Sequence, residues 1–428
     1  MGPSTFDGRS PDAEREDRRD RFVLIAARTV RGFAAGGLSI VLALDLANAG
    51  YPVWTVGLLL GLALGGGALW AILVPRLELG RPRRAVLVLC AVLFALGGFL
   101  LWAGLILPAV VVAAVLLGGI AASTSDASPL GALEQAALAG ATGGEPRTEL
   151  FALYNLLGYV GNAAGALLAG VTAALPVGGG SGFAPGPHDP TFLLYGLLGL
   201  GLVPAYRSLS ERVDRRSSER VAPLSTGSRP TVYALSELFA VDAFGGGMIA
   251  NTLVVYYLAE RFHPPVEELG ALLAGASLLA AVSFLLAAPL ARRFGLIPTM
   301  VFTHLPSSVL LVLFPFGPSF LASSALWLGR SVISQMDVPT RQSYTQAVVP
   351  PEDRTAAAGY TTAARGAQAF GAPVTGAFLA SGGPWVAGPF VLAGSLKIAY
   401  DLALYSRFKR LRAPGDPPER PLPPRTVL

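Results

Sequence analysis

The sequence has very few residues that could build a metal, redox or disulfide site. Among 428 residues there is one cysteine, Cys90, and there are three histidines, His188, His263 and His304. A single cysteine excludes a disulfide within the chain, and the scattered histidines lack the spacing of metal ligands. The sequence therefore predicts no metal and no cofactor.

Charged residues are also scarce. They make up 14% of the chain, whereas about 25% is usual in soluble domains. Hydrophobic residues make up 53% of the chain, and the mean hydropathy is +0.56. A core surrounded by water cannot absorb so many apolar side chains, so we expect the lipid bilayer to be the solvent for most of the chain. The net charge of +5 comes from short basic stretches between apolar runs, which does not indicate a nucleic-acid partner.

Motifs for nucleotide binding and for hydrolysis are missing as well. No G-x-x-x-x-G-K-[ST] loop is present, so direct use of ATP is not expected. No G-x-S-x-G or H-E-x-x-H occurs, and no nucleophile–base pair stands out within the apolar runs. The sequence therefore predicts a protein that is not an enzyme, although a transporter-like sensor or an intramembrane enzyme stays as an alternative.

Long apolar runs are abundant. About 20 apolar residues cross a bilayer as a helix. Twelve runs of about this length are predicted as spans, at residues 22–47, 53–75, 84–105, 107–127, 149–174, 191–206, 231–258, 267–291, 296–315, 318–336, 355–380 and 385–405. A polar stretch divides them into two groups of six.

Polar segments set the predicted domains and the orientation. They are a disordered cytoplasmic tail at 1–20, a six-helix bundle at 21–206, a cytoplasmic linker at 207–230, a second bundle at 231–408, and a cytoplasmic tail at 409–428. Arginines crowd the alternate loops that would lie inside, whereas the opposite loops hold only Arg261. By the positive-inside rule, both termini are predicted to be cytoplasmic, in a multi-pass protein of the cytoplasmic (inner) membrane.

The two groups of spans resemble each other in sequence. "VRGFAAGG" at 30–37 aligns with "VDAFGGG" at 241–247, so that Arg31 corresponds to Asp242 at an offset of 211. At an offset of 207, the stretch 133–151 aligns with 340–358, and Glu134 corresponds to Arg341. The halves are therefore predicted to be parallel repeats, and opposite charges occupy equivalent positions in them.

This plan resembles the major facilitator superfamily, whose members have two parallel six-helix repeats. The loop "VPRLELGRPRR" at 74–84 retains the final glycine and arginines of that family's loop motif, with Leu77 and Glu78 in place of its Asp-Arg pair. The corresponding loop of the second half keeps Arg292 and Arg293. The resemblance implies an all-α membrane fold of twelve helices in two pseudo-symmetric bundles. It also implies charge pairs that close the cytoplasmic side, with Glu78, Arg81, Arg292 and Arg293 as candidates.

The stretches "DAFGGG", "FTHLPSS" and "SQMDVPTRQSY" are similar to a bacterial branch of permeases and drug-efflux-like proteins. The resemblance implies a secondary active transporter that moves a small organic solute by alternating access, with proton-coupled efflux (antiport) as the first expectation. The alternative is uptake or export of a small organic anion that cavity arginines contact. A monomer that exchanges protons as the coupling ion is expected.

In this family the first, fourth, seventh and tenth helices line the central cavity. Six polar residues on those helices are the candidates for substrate contact or coupling: Arg31, Asp126, Asp242, Asn251, Arg330 and Asp337. Arg31 and Asp242 are predicted to face each other across the cavity, as a functional pair or as a static salt bridge. Arg330 is predicted to clamp an anion or to pair with Asp337.

Four further charges precede the fifth and eleventh spans. Glu134, Arg147, Arg341 and Arg354 are predicted to form salt bridges at the inner gate. His304 in the ninth span is predicted to be a hydrogen-bonded core group. The glycine-rich stretches are predicted to let helices pack closely, because small residues allow backbones to approach.

Overall fold

The computed structural model is built almost entirely of α-helices. It describes residues 11–78, 81–104, 107–117, 129–140, 147–174, 189–214, 224–411 and 413. The helices of the first half are α1 (Pro11–Asn48), α2 (Val53–Glu78), α3 (Arg83–Gly104), α4 (Pro108–Leu117), α5 (Pro129–Gly140), α6 (Arg147–Ala174) and α7 (Pro190–Arg207). Those of the second half are α8 (Arg229–Met248), α9 (Asn251–Phe262), α10 (Val266–Phe294), α11 (Leu296–Leu313), α12 (Phe320–Ile333), α13 (Asp337–Ala347), α14 (Arg354–Ala364), α15 (Gln368–Ser381) and α16 (Gly388–Phe408).

Helices fall at each of the twelve predicted spans. Seven segments of the described chain are long and apolar enough to cross a membrane by themselves. The seventh span is interrupted near Ile249, the tenth at 334–336 and the eleventh by a short 3-10 turn at 365–367. Breaks of this kind occur in transporter helices where the backbone lines a cavity or is buried in protein.

Three predicted boundaries differ from the structure. Helix α1 already begins at Pro11, so residues 11–20 are helical rather than disordered. The carboxylate of Asp20 there accepts hydrogen bonds from the backbone and side chain of Ser210, which anchors this end of the helix to the start of the linker. Helices α5 and α13 lie beyond the predicted ends of the fourth and tenth spans, at 127 and 336.

Close packing of glycines joins neighbouring helices, as predicted. Helices α1 and α6 pack so tightly that a side chain on Gly165 would overlap the carbonyl oxygen of Phe33. Between the halves, α2 meets α15, where a Cβ on Gly57 would lie 2.7 Å from the Cα of Gly376. At the same end of the bundle, opposite the termini, α6 meets α10 through Gly170.

Replacing Gly165 by alanine is expected to lower the melting temperature of the purified protein, because α1 and α6 must separate to make room for the methyl group. Overpacking of this kind costs about 1–3 kcal/mol. The matched control is Gly201→Ala, because no atom lies within 4 Å of a Cβ at that position. Equal melting temperatures for the two variants would show that this helix contact does not support the fold.

Candidate functional site

The candidate site consists of two groups of buried charges, one in each half. In the first half, Arg31 on α1 and Glu134 on α5 form a salt bridge, and both side chains are almost fully buried. The Nε of Arg31 donates to Glu134 Oε1 at 3.1 Å. Tyr154 on α6 bridges the two, because its hydroxyl accepts from Arg31 at 3.0 Å and donates to Glu134 at 2.5 Å. Tyr206 on α7 also donates to Glu134.

This first-half group is electrically balanced, with one cation and one carboxylate. Three donor side chains, Arg31, Tyr154 and Tyr206, satisfy the carboxylate of Glu134. A buried ion pair whose hydrogen bonds are all made holds helices in place, since removing one partner leaves an uncompensated charge. The group therefore binds α1, α5, α6 and α7 together.

The second half carries a larger group, called here the C-half cluster: Asp242, His304, Asp337, Arg341, Lys397 and Asp401. All six side chains are buried. Asp242 on α8 lies at its centre. Its Oδ1 lies 2.6 Å from Lys397 Nζ of α16, and its Oδ2 lies 3.3 Å from Arg341 Nη1 of α13. Arg341 also contacts Asp337 at 3.0 Å.

His304 on α11 connects the remaining carboxylates of the C-half cluster. Its Nδ1 lies 3.0 Å from both carboxylate oxygens of Asp401, and its Nε2 lies 3.7 Å from Asp242 Oδ1. The ring of Tyr400 packs edge-on against the imidazole. The structure therefore confirms that His304 is a hydrogen-bonded buried group, and it adds a carboxylate partner on the last helix.

The predicted pairing of Arg31 with Asp242 is wrong, because each residue has its partners within its own half. The two residues still occupy equivalent places. Arg31 on the first span pairs with Glu134 on the fourth, and Asp242 on the seventh pairs with Arg341 on the tenth. The repeat has therefore kept one arginine–carboxylate pair in each half and has exchanged which helix carries which charge.

Glu134 and Arg341 form their salt bridges with Arg31 and Asp242, and their inner-gate role stays a prediction. They belong to helices α5 and α13, and both side chains lie buried inside the bundles rather than in loops. Arg354 is exposed, and its Nε donates to the backbone oxygen of Gln346 within the same half. The side chain of Arg147 lies outside the described residues.

The other predicted gate residues lie at the ends of helices. Arg81, Arg292 and Arg293 are exposed, and the side chain of Glu78 is outside the described part of the chain. Beside them, Arg84 binds Asp214 at 2.6 Å and thereby ties the loop before α3 to the linker. The cytoplasmic charge pairs that the family resemblance implies stay a prediction.

Arg330 on α12 does not pair with Asp337, whose carboxylate is bound by Arg341. Its guanidinium lies over the ring of Trp327, 4.9 Å from the centroid. Its Nε is buried and has no hydrogen-bond partner among the described residues. The side chain as a whole is half-buried.

Of the two remaining candidates on the cavity helices, the structure describes one. Asn251 is half-buried and begins α9, directly after the break in the seventh span. Asp126 lies outside the described residues. On the opposite side of the break, Thr375 of α15 donates to the backbone oxygen of Met248 at 2.7 Å, which satisfies one carbonyl at the end of α8.

The two halves meet beside Arg330. Tyr159 of α6 donates to Gln335 Oε1 at 3.2 Å, which links the fifth span to the tenth. Further along α6, Asn162 accepts a hydrogen bond from Ser277 of α10 at 2.8 Å. Arg330 precedes Gln335 in the tenth span, and Asp337 of the C-half cluster follows Gln335, so this span connects the cluster to the first half.

A separate cavity of about 180 Å³ lies within the first half, between α1, α6 and α7. Its walls are mainly apolar and include Phe33, Leu168 and Leu194. None of the buried charges lines it, so it is distinct from the candidate site.

Comparisons with known proteins agree with this architecture. Residues 235–427 match the family model described as Major Facilitator Superfamily. An uncharacterized membrane protein of Saccharomyces cerevisiae is 25% identical over 424 residues, which cover 91% of this chain and 94% of the yeast protein.

Solved transporters have the same fold. A mutant of the nucleoside transporter NupG superimposes with a TM-score of 0.71 at 13% identity, covering 91% of this chain and all of that one. The D-xylose–proton symporter gives a TM-score of 0.69 at 15% identity, with coverage of 90% and 97%. The human organic anion transporter MFSD10 gives 0.65 at 17% identity, with coverage of 92% and 100%.

Proposed function

We propose that this chain is a multi-pass secondary transporter of small molecules of the Major Facilitator Superfamily, and that proton movement through the C-half cluster drives its transport. The observation that carries this proposal is the composition of that cluster. It contains three carboxylates and only two permanent cations, Lys397 and Arg341, and all of these side chains are buried. His304 adds a positive charge only when it is protonated.

Burial makes the charge balance of such a cluster matter. In a medium of low dielectric constant, unbalanced charge is expensive, so a buried group gains or loses protons to approach neutrality. One proton shared by His304 and Asp401 changes the balance of the whole cluster. Its occupancy then depends on any other charge nearby, including the charge of a bound solute.

The cluster also spans helices that move in alternating access. Its members lie on α8, α11, α13 and α16, which belong to the seventh, ninth, tenth and twelfth spans. Rocking of one bundle against the other changes which side of the membrane has access to a central site. A proton bound in this cluster is therefore positioned to favour one arrangement of the second bundle against the first over another.

The orientation and location complete the proposal. The arginine-rich loops support a proposed orientation with both termini in the cytoplasm. The proposed location is the cytoplasmic membrane, and the proposed state is a monomer. The drug-efflux-like stretches favour export of a solute in exchange for protons. The buried Nε of Arg330 instead favours co-transport of an organic anion with a proton, because this atom has no hydrogen-bond partner in the described chain.

Transport in proteoliposomes tests the proposal. Vesicles containing the purified protein are offered a panel of anionic, neutral and cationic organic solutes, with and without an imposed pH gradient. We expect at least one solute to accumulate against its own gradient only when the pH gradient is present, and a protonophore to abolish that accumulation. Solute movement that always follows the solute's own gradient would contradict proton coupling.

A further inference from the structure

We infer that the transported solute is a small organic monoanion, that its head group binds Arg330, and that it enters the site together with a proton. This inference rests on the proposed function and names the substrate class of the same site. The observation behind it is a cation in the middle of a span that has no ion pair or hydrogen bond among the described residues, beside a cluster whose other cations are all paired.

An unpaired cation at this depth is costly. A permanent guanidinium cannot escape the cost by losing its proton, because it stays charged in proteins. Removing an ion from water costs several kcal/mol unless a counter-charge or a solvated cavity compensates. Among the described residues, Arg341 and Lys397 have carboxylates in contact, whereas Arg330 has only the face of Trp327. An incoming anion would supply the missing partner.

The surroundings of Arg330 favour a planar anionic head group. Contact with the indole ring of Trp327 restrains the guanidinium, and this ring is almost fully buried. The Nε is enclosed while the side chain as a whole keeps some exposure, so the terminal nitrogens are the atoms left to meet a solute. A guanidinium matches a carboxylate in a bidentate geometry.

Gln335 provides a second donor close to the same place. Its oxygen accepts from Tyr159 of the first half, which leaves its amide nitrogen as a donor without an acceptor in the described chain. Because this residue lies where the two halves meet, a solute held here contacts both bundles. Binding at that position is what alternating access requires.

The charge count links the anion to the proton. His304 contacts Asp242 on α8 and Asp401 on α16, and the ring of Tyr400 lies beside the imidazole. The helices packed against α11 also carry Arg330 on α12, Asp337 and Arg341 on α13, and Lys397 on α16. The charged residues of α10 lie near its ends. With Arg330 included, three cations balance three carboxylates, so the empty site is neutral while His304 is neutral.

A bound monoanion changes this balance by one negative charge. A proton on the His304–Asp401 pair then restores neutrality, so anion and proton each favour the binding of the other. The two move in the same direction, and an inwardly directed proton gradient drives uptake. A cationic solute would instead compete with the proton, which is the behaviour of an antiporter.

Binding of three solutes of one shape tests this inference: benzoate, benzamide and benzylammonium, added to the purified protein in calorimetric titrations. We expect benzoate alone to bind, with about one proton taken up per benzoate, as measured by repeating the titration in buffers of different ionisation enthalpy. Arg330→Gln should weaken benzoate binding at least 10-fold, and Arg330→Lys should restore part of it. Arg293→Gln, which removes an exposed arginine of the same half, serves as the matched control.

Preferred binding of benzamide or benzylammonium, or an unchanged benzoate affinity in Arg330→Gln, would overturn the assignment of an anion. Benzoate binding without proton uptake would overturn the coupled entry. These failures are distinguishable from failure of the proposed function. If the substrate class alone is wrong, the proteoliposomes still accumulate a neutral or cationic solute under a pH gradient, whereas loss of proton coupling abolishes such accumulation for every solute.

Discussion

Asp242→Asn is expected to abolish solute accumulation driven by a pH gradient. Asparagine keeps the shape of the side chain but removes the charge that lies 2.6 Å from Lys397 Nζ and 3.3 Å from Arg341 Nη1. The C-half cluster then has two carboxylates and two permanent cations, so it is balanced while His304 is neutral and has no need of a proton. We expect the rate of pH-driven uptake in proteoliposomes to fall by more than 10-fold.

Two further variants make this result interpretable. Glu237→Gln removes an exposed carboxylate from the same helix, α8, and should leave pH-driven uptake unchanged. Asp242→Asn leaves Lys397 buried without its carboxylate. If the single variant therefore fails to fold, the double variant Asp242→Asn/Lys397→Met is measured, because it keeps the cluster's charge at its original value. A folded Asp242→Asn single variant with unchanged pH dependence would remove Asp242 from the coupling site.

Arg31→Met is expected to cause the largest loss of stability. The carboxylate of Glu134 is completely buried and would lose its only cationic partner in the described chain. Breaking a buried pair from one side costs about 3–5 kcal/mol. The melting temperature of the purified protein should therefore fall by several degrees or more.

A double variant separates the ion pair from simple packing. Arg31→Met/Glu134→Gln removes both charges. One of Tyr154 and Tyr206 can still donate to the amide oxygen and the other can accept from the amide nitrogen, so the double variant should be more stable than Arg31→Met alone. A double variant as unstable as the sum of its parts would contradict the account, because independent sites add and coupled sites do not. Pairing within the first half predicts that Asp242→Asn does not rescue Arg31→Met.

Hydropathy predicted where the spans lie. It gave the wrong end for a span whose last helix carries charged residues on one face. A 20-residue apolar run requires a lipid-facing or buried apolar surface, so most spans could be located from composition alone. The tenth span was predicted to end too early, because α13 carries Asp337, Arg341 and several hydroxyl groups and is therefore not apolar on average. Its polar face is buried against the other helices of its half, and a sequence average cannot detect that burial.

The internal repeat predicted which residues are equivalent but not which residues touch. The offsets correctly related Arg31 to Asp242 and Glu134 to Arg341. Contact depends on distance at the scale of a hydrogen bond, and helices within one bundle stay adjacent whatever the two halves do. Arg31 and Asp242 therefore form ion pairs within their own bundles, rather than with each other across the cavity.

Two members of the C-half cluster were missed by the sequence-based predictions. Lys397 and Asp401 lie four residues apart in the last apolar span, so they share one face of α16. That spacing was a usable signal, because two opposite charges within an apolar run require buried partners. Their partners, Asp242 and His304, lie more than 90 residues away in sequence and could not be assigned without the fold.

Proton flux measured during solute transport tests the central claim most directly. A pH-sensitive dye trapped in proteoliposomes, with the membrane potential clamped by potassium and valinomycin, reports protons that cross with the solute identified in the accumulation panel. We predict a pH change that requires the solute, that occurs with the wild-type protein, and that is lost in His304→Gln. Solute transport by the wild-type protein without any accompanying pH change would contradict proton coupling through the C-half cluster.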